Sequence, residues 1–191
     1  MTPWFEGTEA ATAPLTDEHA TAQRLGTFFA QLHVPAPLKA PANPYRGVPL
    51  ATRAPSFFDS LVLVEGQLDT QQVAAVFDHA AAQPASEERV WLHGDLHGRN
   101  MIVQHGDLVA VIDWGDVCAG DRATDLAGAF MLTPNHLDTV QRVSATSDQD
   151  WQRARGWAAH FAIIYLAHCD DDPVMQALGH RILTALGATD N

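Results

Sequence analysis

Apolar positions recur at helical spacing in several stretches of the chain. Leu25, Phe28, Phe29 and Leu32 lie three and four residues apart, which predicts a helix running to His33. Thr16 is the expected N-cap, with Asp17 and Glu18 in the first turn where the helix dipole favours acids. Pro35 and Pro37 stop this helix. Residues 34–56 then carry six prolines, which predicts an extended surface loop, long enough to suggest function or mobility. Val73, Val76 and Phe77 mark a second helix over 69–82, ended by Pro84.

The period then changes. Arg89–Leu92 reads as a short strand, and 100–104 and 108–112 as two more, joined at His105-Gly106-Asp107 by a hairpin turn. Beyond Asp121 the pattern is helical again, over about 124–132, 135–143, 149–168 and 173–186. Trp151, Trp157, Phe161, Ile164 and Leu166 give the third of these a broad apolar face. Asp172-Pro173 is a cap followed by proline at the first helical position, and Gly187 suits the far end. The expected fold is α+β, mostly α, with one small β-hairpin region.

Composition narrows the function. The 191 residues carry 11 Lys+Arg against 23 Asp+Glu, a net charge of −12, which argues against nucleic acid. An acidic chain is compatible with a cationic substrate. No apolar run reaches the ~18 residues of a membrane helix. The N-terminus has neither a basic segment nor a long apolar stretch, so a cytoplasmic protein with two reduced thiols, Cys118 and Cys169, is expected.

The polar chemistry gathers in the hairpin region. His93-Gly-Asp-Leu-His-Gly-Arg-Asn100 precedes Val111-Ile-Asp-Trp-Gly-Asp116. Asp95 is followed five residues later by Asn100, and pairing of the two later strands brings Asp113 back towards Asn100. Phosphoryl transfer from a nucleotide needs such a set: one carboxylate to orient the attacking hydroxyl, and an amide oxygen plus a second carboxylate to hold Mg²⁺. Each residue alone is commonplace in turns. With 10 His, 17 Asp and 4 Asn, the pattern H-x-D-x-x-x-x-N arises by chance roughly 0.02 times per chain of this composition. A different class stays open: His93, Asp95 and His97 at alternate positions would share one face of a strand and could ligate zinc in a metal-dependent hydrolase, although the glycines favour a loop.

The two motifs, followed by Gly120-Asp-Arg-Ala-Thr-Asp-Leu-Ala127, resemble the aminoglycoside phosphotransferase family of the protein-kinase-like superfamily. Pro3-Trp-Phe-Glu-Gly7 is similar to the hinge between that family's lobes, and Leu25–His33 resembles its first large-lobe helix. The resemblance implies a hinge remnant over 1–10 and a kinase-like large lobe over 11–191. Within the lobe it implies a catalytic loop at 93–100, a metal-binding segment at 111–116 and substrate-side helices over 121–187. It implies Asp95 as catalytic base, Asn100 and Asp113 as Mg²⁺ ligands, and the backbone around Trp4, Phe5 and Glu6 facing the adenine of ATP. His93 would shape the loop and Asp125 would brace it. The acceptor would be a hydroxyl of an aminoglycoside-like or other small metabolite.

Two positions depart from the family pattern: Gly98-Arg99 stands where Pro-Gly is usual, and Arg122 where Pro is usual. Arg99 is expected either on a phosphate or in solvent. The acids Asp170-Asp171-Asp172 are expected to cap a helix or to attract a cationic sugar. The family's small lobe supplies a lysine and a loop over the phosphates. The only lysine here, Lys39, sits among prolines after the first helix. The chain is therefore expected to start at the hinge, without the phosphate clamp. The expected partners are a small lobe supplied by another segment, or a second copy through an exposed apolar hinge side. A non-catalytic remnant or binding module is the alternative.

Overall fold

A computed structural model describes residues 4–188. Residues 1–3 of the expected hinge, Pro3 among them, lie outside the described residues, as do 189–191 of the expected lobe. The architecture is α+β and mostly α: strand β1 (Thr8–Glu9), helices α1 (Glu18–Leu32), α2 (Ala54–Leu63) and α3 (Thr70–Ala81), strands β2 (Val90–Leu92), β3 (Met101–Gln104), β4 (Asp107–Val111) and β5 (Cys118–Gly120), then helices α4 (Ala123–Leu126), α5 (Ala129–Leu132), α6 (Leu137–Ser144), α7 (Asp148–His168) and α8 (Pro173–Leu186). Among these residues no helix is long and apolar enough to cross a membrane.

The cap of α1 differs from expectation. Asp17, in extended backbone, accepts the Ala20 N–H at 2.9 Å. Thr16 instead donates its backbone N–H to the Gly106 carbonyl at 3.1 Å, docking this segment on the hairpin turn. His105 and Gly106 both have positive φ, 53° and 84°, which suits a two-residue hairpin whose twist matches its strands. β1, β3 and β4 form one antiparallel sheet in the order β1-β3-β4, and β2 and β5 pair antiparallel in another.

The proline-rich loop ends earlier than the spacing predicts. Leu50–Arg53 is a turn of 3-10 helix and α2 follows directly. Pro55 belongs to the first turn of α2, where a missing N–H breaks no helical bond, so it starts a helix rather than preventing one. The remaining loop is pinned along β2 and β5: Ala36 N–H donates to Arg89 O, Trp91 N–H to Val34 O, Ala119 N–H to Pro41 O and Asp121 N–H to Gly47 O. That pinning fixes the direction in which Arg46 points.

Helix α7 is the centre of the fold. It is buried on nearly all sides, not on one broad face, and packs against α2, α3, α4 and α8. Ala154, Ala158, Ala159 and Ala162 let these neighbours approach, while Trp157 fills the space between them. Phe57 of α2 stacks on Phe77 of α3 at 4.0 Å between ring centres. A fully buried side chain of this kind contributes about 1.5–3 kcal/mol. Ser147 and Asp150 form a reciprocal capping box that starts α7. The helices surround a small β region that carries the polar motifs.

Candidate active site

The loop 93–100 joins β2 to β3 and is held from below by Asp125, a fully buried carboxylate in α4. Asp125 accepts the His93 N–H at 2.8 Å and the Gly94 N–H at 3.0 Å. It also meets His33 Nε2, at the end of α1, at 3.2 Å. Gly94 has φ +88°, and a Cβ there would strike the Asp116 carbonyl, so the turn into Asp95 admits only glycine without strain.

Both ring nitrogens of buried His93 are engaged by backbone. Nε2 donates to the Ile112 carbonyl at 2.9 Å and Nδ1 accepts the Asp95 N–H at 3.3 Å. His93 therefore ties the loop to the segment carrying Asp113. This commitment removes it from the zinc set that the alternate spacing allowed. Among the described residues no three His, Cys, Asp or Glu side chains converge to hold a metal.

Asp95 is partly buried, its side chain 29% exposed. One carboxylate oxygen meets Arg46 Nη2 at 3.2 Å and the other meets His97 Nε2 at 3.4 Å. Desolvation works against ionisation of Asp95, but the His97 hydrogen bond and charge, joined by Arg46, outweigh it and hold the carboxyl below its ordinary value. Asp95 is thus a carboxylate throughout the neutral range, able to accept a hydrogen bond. The buried Asn100 turns its amide N–H towards Asp95, 2.9 Å from the backbone carbonyl. Its Oδ1 accepts no hydrogen bond among the described residues. The Ile112 N–H donates to the Asn100 carbonyl at 2.9 Å, so the residue next to Asp113 is paired with Asn100. Asp113 is exposed, has left-handed backbone (φ 59°, ψ 69°) and makes no side-chain hydrogen bond among the described residues. A non-glycine residue in that region is strained by about 1–3 kcal/mol, and such positions gather at functional sites.

The other expected site residues are placed differently. Trp4 is 88% exposed and Phe5 44%. Glu6 accepts a long hydrogen bond from Gln104 at 3.5 Å. No hydrogen bond joins these three to Asp95, Asn100 or Asp113. Arg99 is half-buried and engaged by acids. Its guanidinium pairs with Asp172 at 2.7 Å and with Glu9 at 3.7 Å. Asp172 meanwhile caps α8 through the Val174 and Met175 N–H groups, so this acid is committed and not free to recruit a cation.

Arg46 had no signal in the spacing. It lies in the proline-rich loop, and only the pinning of that loop carries it to Asp95. Beside this pair opens a cleft of about 240 Å³. Of the helix expected to line an acceptor pocket, only His160, Phe161, Ile164 and Tyr165 reach the cleft, whereas Trp151 and Trp157 are core.

A model of the phosphotransferase enzyme family, APH, matches residues 1–157. The chain belongs to that family. No curated protein sequence matches it. Among solved structures, a type I macrolide 2'-phosphotransferase is similar at 15% identity and a TM-score of 0.60, covering 95% of this chain and 68% of the other. An AMP-bound spectinomycin phosphotransferase is similar at 14% identity and a TM-score of 0.60, covering 99% and 72%. A thermostable mutant of an aminoglycoside phosphotransferase, solved with AMP-PNP and hygromycin B, shares 17% identity at a TM-score of 0.60, covering 96% and 69%. At such identities the likeness is one of fold. This member of the phosphotransferase family has the kinase-like fold, with Asp95, Asn100 and Asp113 on the loops around the β-hairpin.

Proposed function

We propose that this phosphotransferase-family chain forms the acceptor and metal side of an ATP-dependent small-molecule kinase. The observation that carries the reading is the placement of the Asp95 carboxylate, 3.2 Å from the cleft-lining Arg46 and 3.4 Å from the Asn100 amide. In the proposed reaction Asp95 accepts a hydrogen bond from an acceptor hydroxyl. As the hydroxyl oxygen bonds to the γ-phosphorus, the bond from that phosphorus to the β–γ bridging oxygen breaks. Its electron pair leaves with ADP, and the hydroxyl proton passes to Asp95. The product is a phosphate monoester. General-base assistance of this kind contributes typically ~10²–10⁴ in rate.

Asn100 Oδ1 and the Asp113 carboxylate, neither accepting a hydrogen bond among the described residues, are hard oxygen donors of the kind Mg²⁺ takes, and they fit that ion when phosphate oxygens and water complete the shell. Bound there with ATP, Mg²⁺ supplies charge neutralisation at the phosphates. His93 and Asp125 orient the loop and take no part in proton transfer. Exposed Trp4 and Phe5 suit a hinge surface covered by a further segment or by a second copy. A cytoplasmic location fits the use of ATP and Mg²⁺.

A second reading, a kinase-like module that binds without catalysing transfer, is favoured by Lys39. This sole lysine is exposed in a turn of the proline-rich loop and makes no hydrogen bond or ion pair among the described residues. Titrating AMP-PNP with Mn²⁺ into isotope-labelled chain tests the site. Paramagnetic broadening should begin at 95–100 and 111–116 and vanish in the double variant Asn100→Ala, Asp113→Ala. Broadening centred elsewhere refutes the metal assignment. Transfer of labelled γ-phosphate, abolished by Asp95→Asn, separates the kinase from the silent module.

A further inference from the structure

The cleft beside Asp95 gathers two of the chain's few cations against one carboxylate. Arg46 and Arg53 both line it. The Arg46 guanidinium lies over the Phe161 ring at 5.1 Å, and the Arg53 guanidinium over the Tyr45 ring at 5.3 Å. Stacking of this kind holds a planar cation in place while leaving its edge free to donate. Arg46 gives one N–H to Asp95, but its Nε is buried and bonded to nothing among the described residues. Arg53 has no ion pair there at all, and its Nε is likewise buried and unbonded. His160 also lines the cleft; it is 1% exposed and its Nδ1 has no partner among the described residues. Burial, then Arg53 and Arg46, push the His160 imidazole down to about 3, so it is neutral here. The one acid lining the cleft, Asp116, accepts a hydrogen bond from Asn43 at 3.0 Å.

Two stacked guanidinium groups line this cleft against a single carboxylate, Asp116, and with Arg46 paired to Asp95 it is Arg53 that has no ion pair among the described residues and is left to meet an anion. A polycationic amino-sugar would meet two like charges here. We infer that this cleft receives an acceptor carrying a carboxylate or phosphate group, held by Arg46 and Arg53 so that a hydroxyl elsewhere on the same molecule reaches Asp95. The substrate class is then a small anionic hydroxyl compound, which the net charge of −12 does not suggest. The inference takes its chemistry from the phosphotransfer reading, whereas the binding it asserts needs neither ATP nor Asp95.

The test follows the arginine Nε–H and His160 ring resonances of the full chain by NMR. The probes are inorganic phosphate, glycerol 3-phosphate, glycerol and kanamycin. Both phosphate compounds should shift Arg46, Arg53 and His160, and glycerol should not. Arg53→Gln should weaken phosphate binding roughly tenfold or more, the scale of a lost charge-assisted bond, and Arg53→Lys by less. Three results overturn the inference: kanamycin shifting these resonances at lower concentration than phosphate, Arg53→Gln binding phosphate as the wild type does, or no shift at the wild-type arginines. The last is readable even where the variant fails to fold. Repeating the titration with saturating AMP-PNP and Mg²⁺ separates the sources of anion. Retained binding supports an acceptor site, and displacement assigns the arginines to nucleotide phosphate and defeats the proposal. Failure of the Mn²⁺ experiment above, with phosphate binding intact, would reject the kinase reading alone.

Discussion

Asp125 and His33 meet at 3.2 Å with both side chains almost wholly buried, joining the end of α1 to the helix that braces the loop of Asp95. The carboxylate that touches His33 also receives two backbone N–H groups of that loop. One side chain therefore sets the position of α1, the strained glycine turn and the candidate base together. Its conformation cannot change without moving all three.

Removing it should be costly. Asp125→Ala leaves the buried His93 and Gly94 N–H groups unpaired, at about 1–3 kcal/mol each, and takes the partner from His33. We expect a total loss of about 3–5 kcal/mol in chemical denaturation. Asp125→Asn keeps one acceptor oxygen and should lose less. Equal stability of wild type and Asp125→Ala would mean that the loop holds its shape by packing alone.

The Asp95 carboxyl should titrate below the ordinary aspartate value of ~3.9, as read by carbon-detected NMR. His97 is the largest of the influences lowering it, and Arg46 the next. His97→Ala should therefore move the titration up. Because the folded value lies below the unfolded one, Asp95 contributes stability above the unfolded value, lost as pH falls through the folded one. The acid limb of any transfer activity should shift upward in the same variant. An unmoved titration would show that His97 only fills space.

His160 gives the opposite kind of signal, from a base kept neutral. Its folded value of about 3 lies below the ordinary 6.5. The unfolded chain takes up a proton at this residue that the folded chain refuses between those two values. Stability should thus fall as pH drops from about 6.5 towards about 3, by at most about 1.4 kcal/mol per pH unit from this group. His160→Phe removes the group, and the slope of melting temperature against pH over that range should flatten. A variant with the wild-type slope would place the pH sensitivity elsewhere.

Arg153 is the buried cation of α7, pairing with Asp121 at 2.6 Å and Asp150 at 2.7 Å. Arg153→Met would leave two largely buried carboxylates without their cation, and we expect a loss of about 3–5 kcal/mol. Adding Asp121→Asn to that variant should recover part of the loss, which a double-mutant cycle in urea measures. Simple additivity of the two changes would argue that the pair is not coupled.

Much of this molecule is written in local pattern. The helical period, the Asp-Pro start and Gly end of α8, the Gly at the hairpin and the spacing from Asp95 to Asn100 all depend on a few neighbouring residues. Backbone sterics, capping and turn chemistry act over that same range, so the elements and the candidate catalytic residues are legible before any packing is known. Even there the local reading erred where one residue has two uses. Pro55 breaks a helix in its interior but starts one at its first turn, and α2 was hidden among the prolines for that reason.

Contacts between residues far apart in the chain had no such signal. Arg46 reaches Asp95 only because backbone hydrogen bonds to β2 and β5 lay the loop across the site. Arg99 is drawn to the cap of α8, 73 residues away. Arg46 and Arg53 line one cleft because the proline-rich loop, the turn before α2 and α7 converge there. Sequence alone determined most of the helices, the hairpin and the spacing of Asp95, Asn100 and Asp113. Tertiary structure alone decided which charges are spent on one another and which remain free, since electrostatic pairing depends on distance in space and not along the chain.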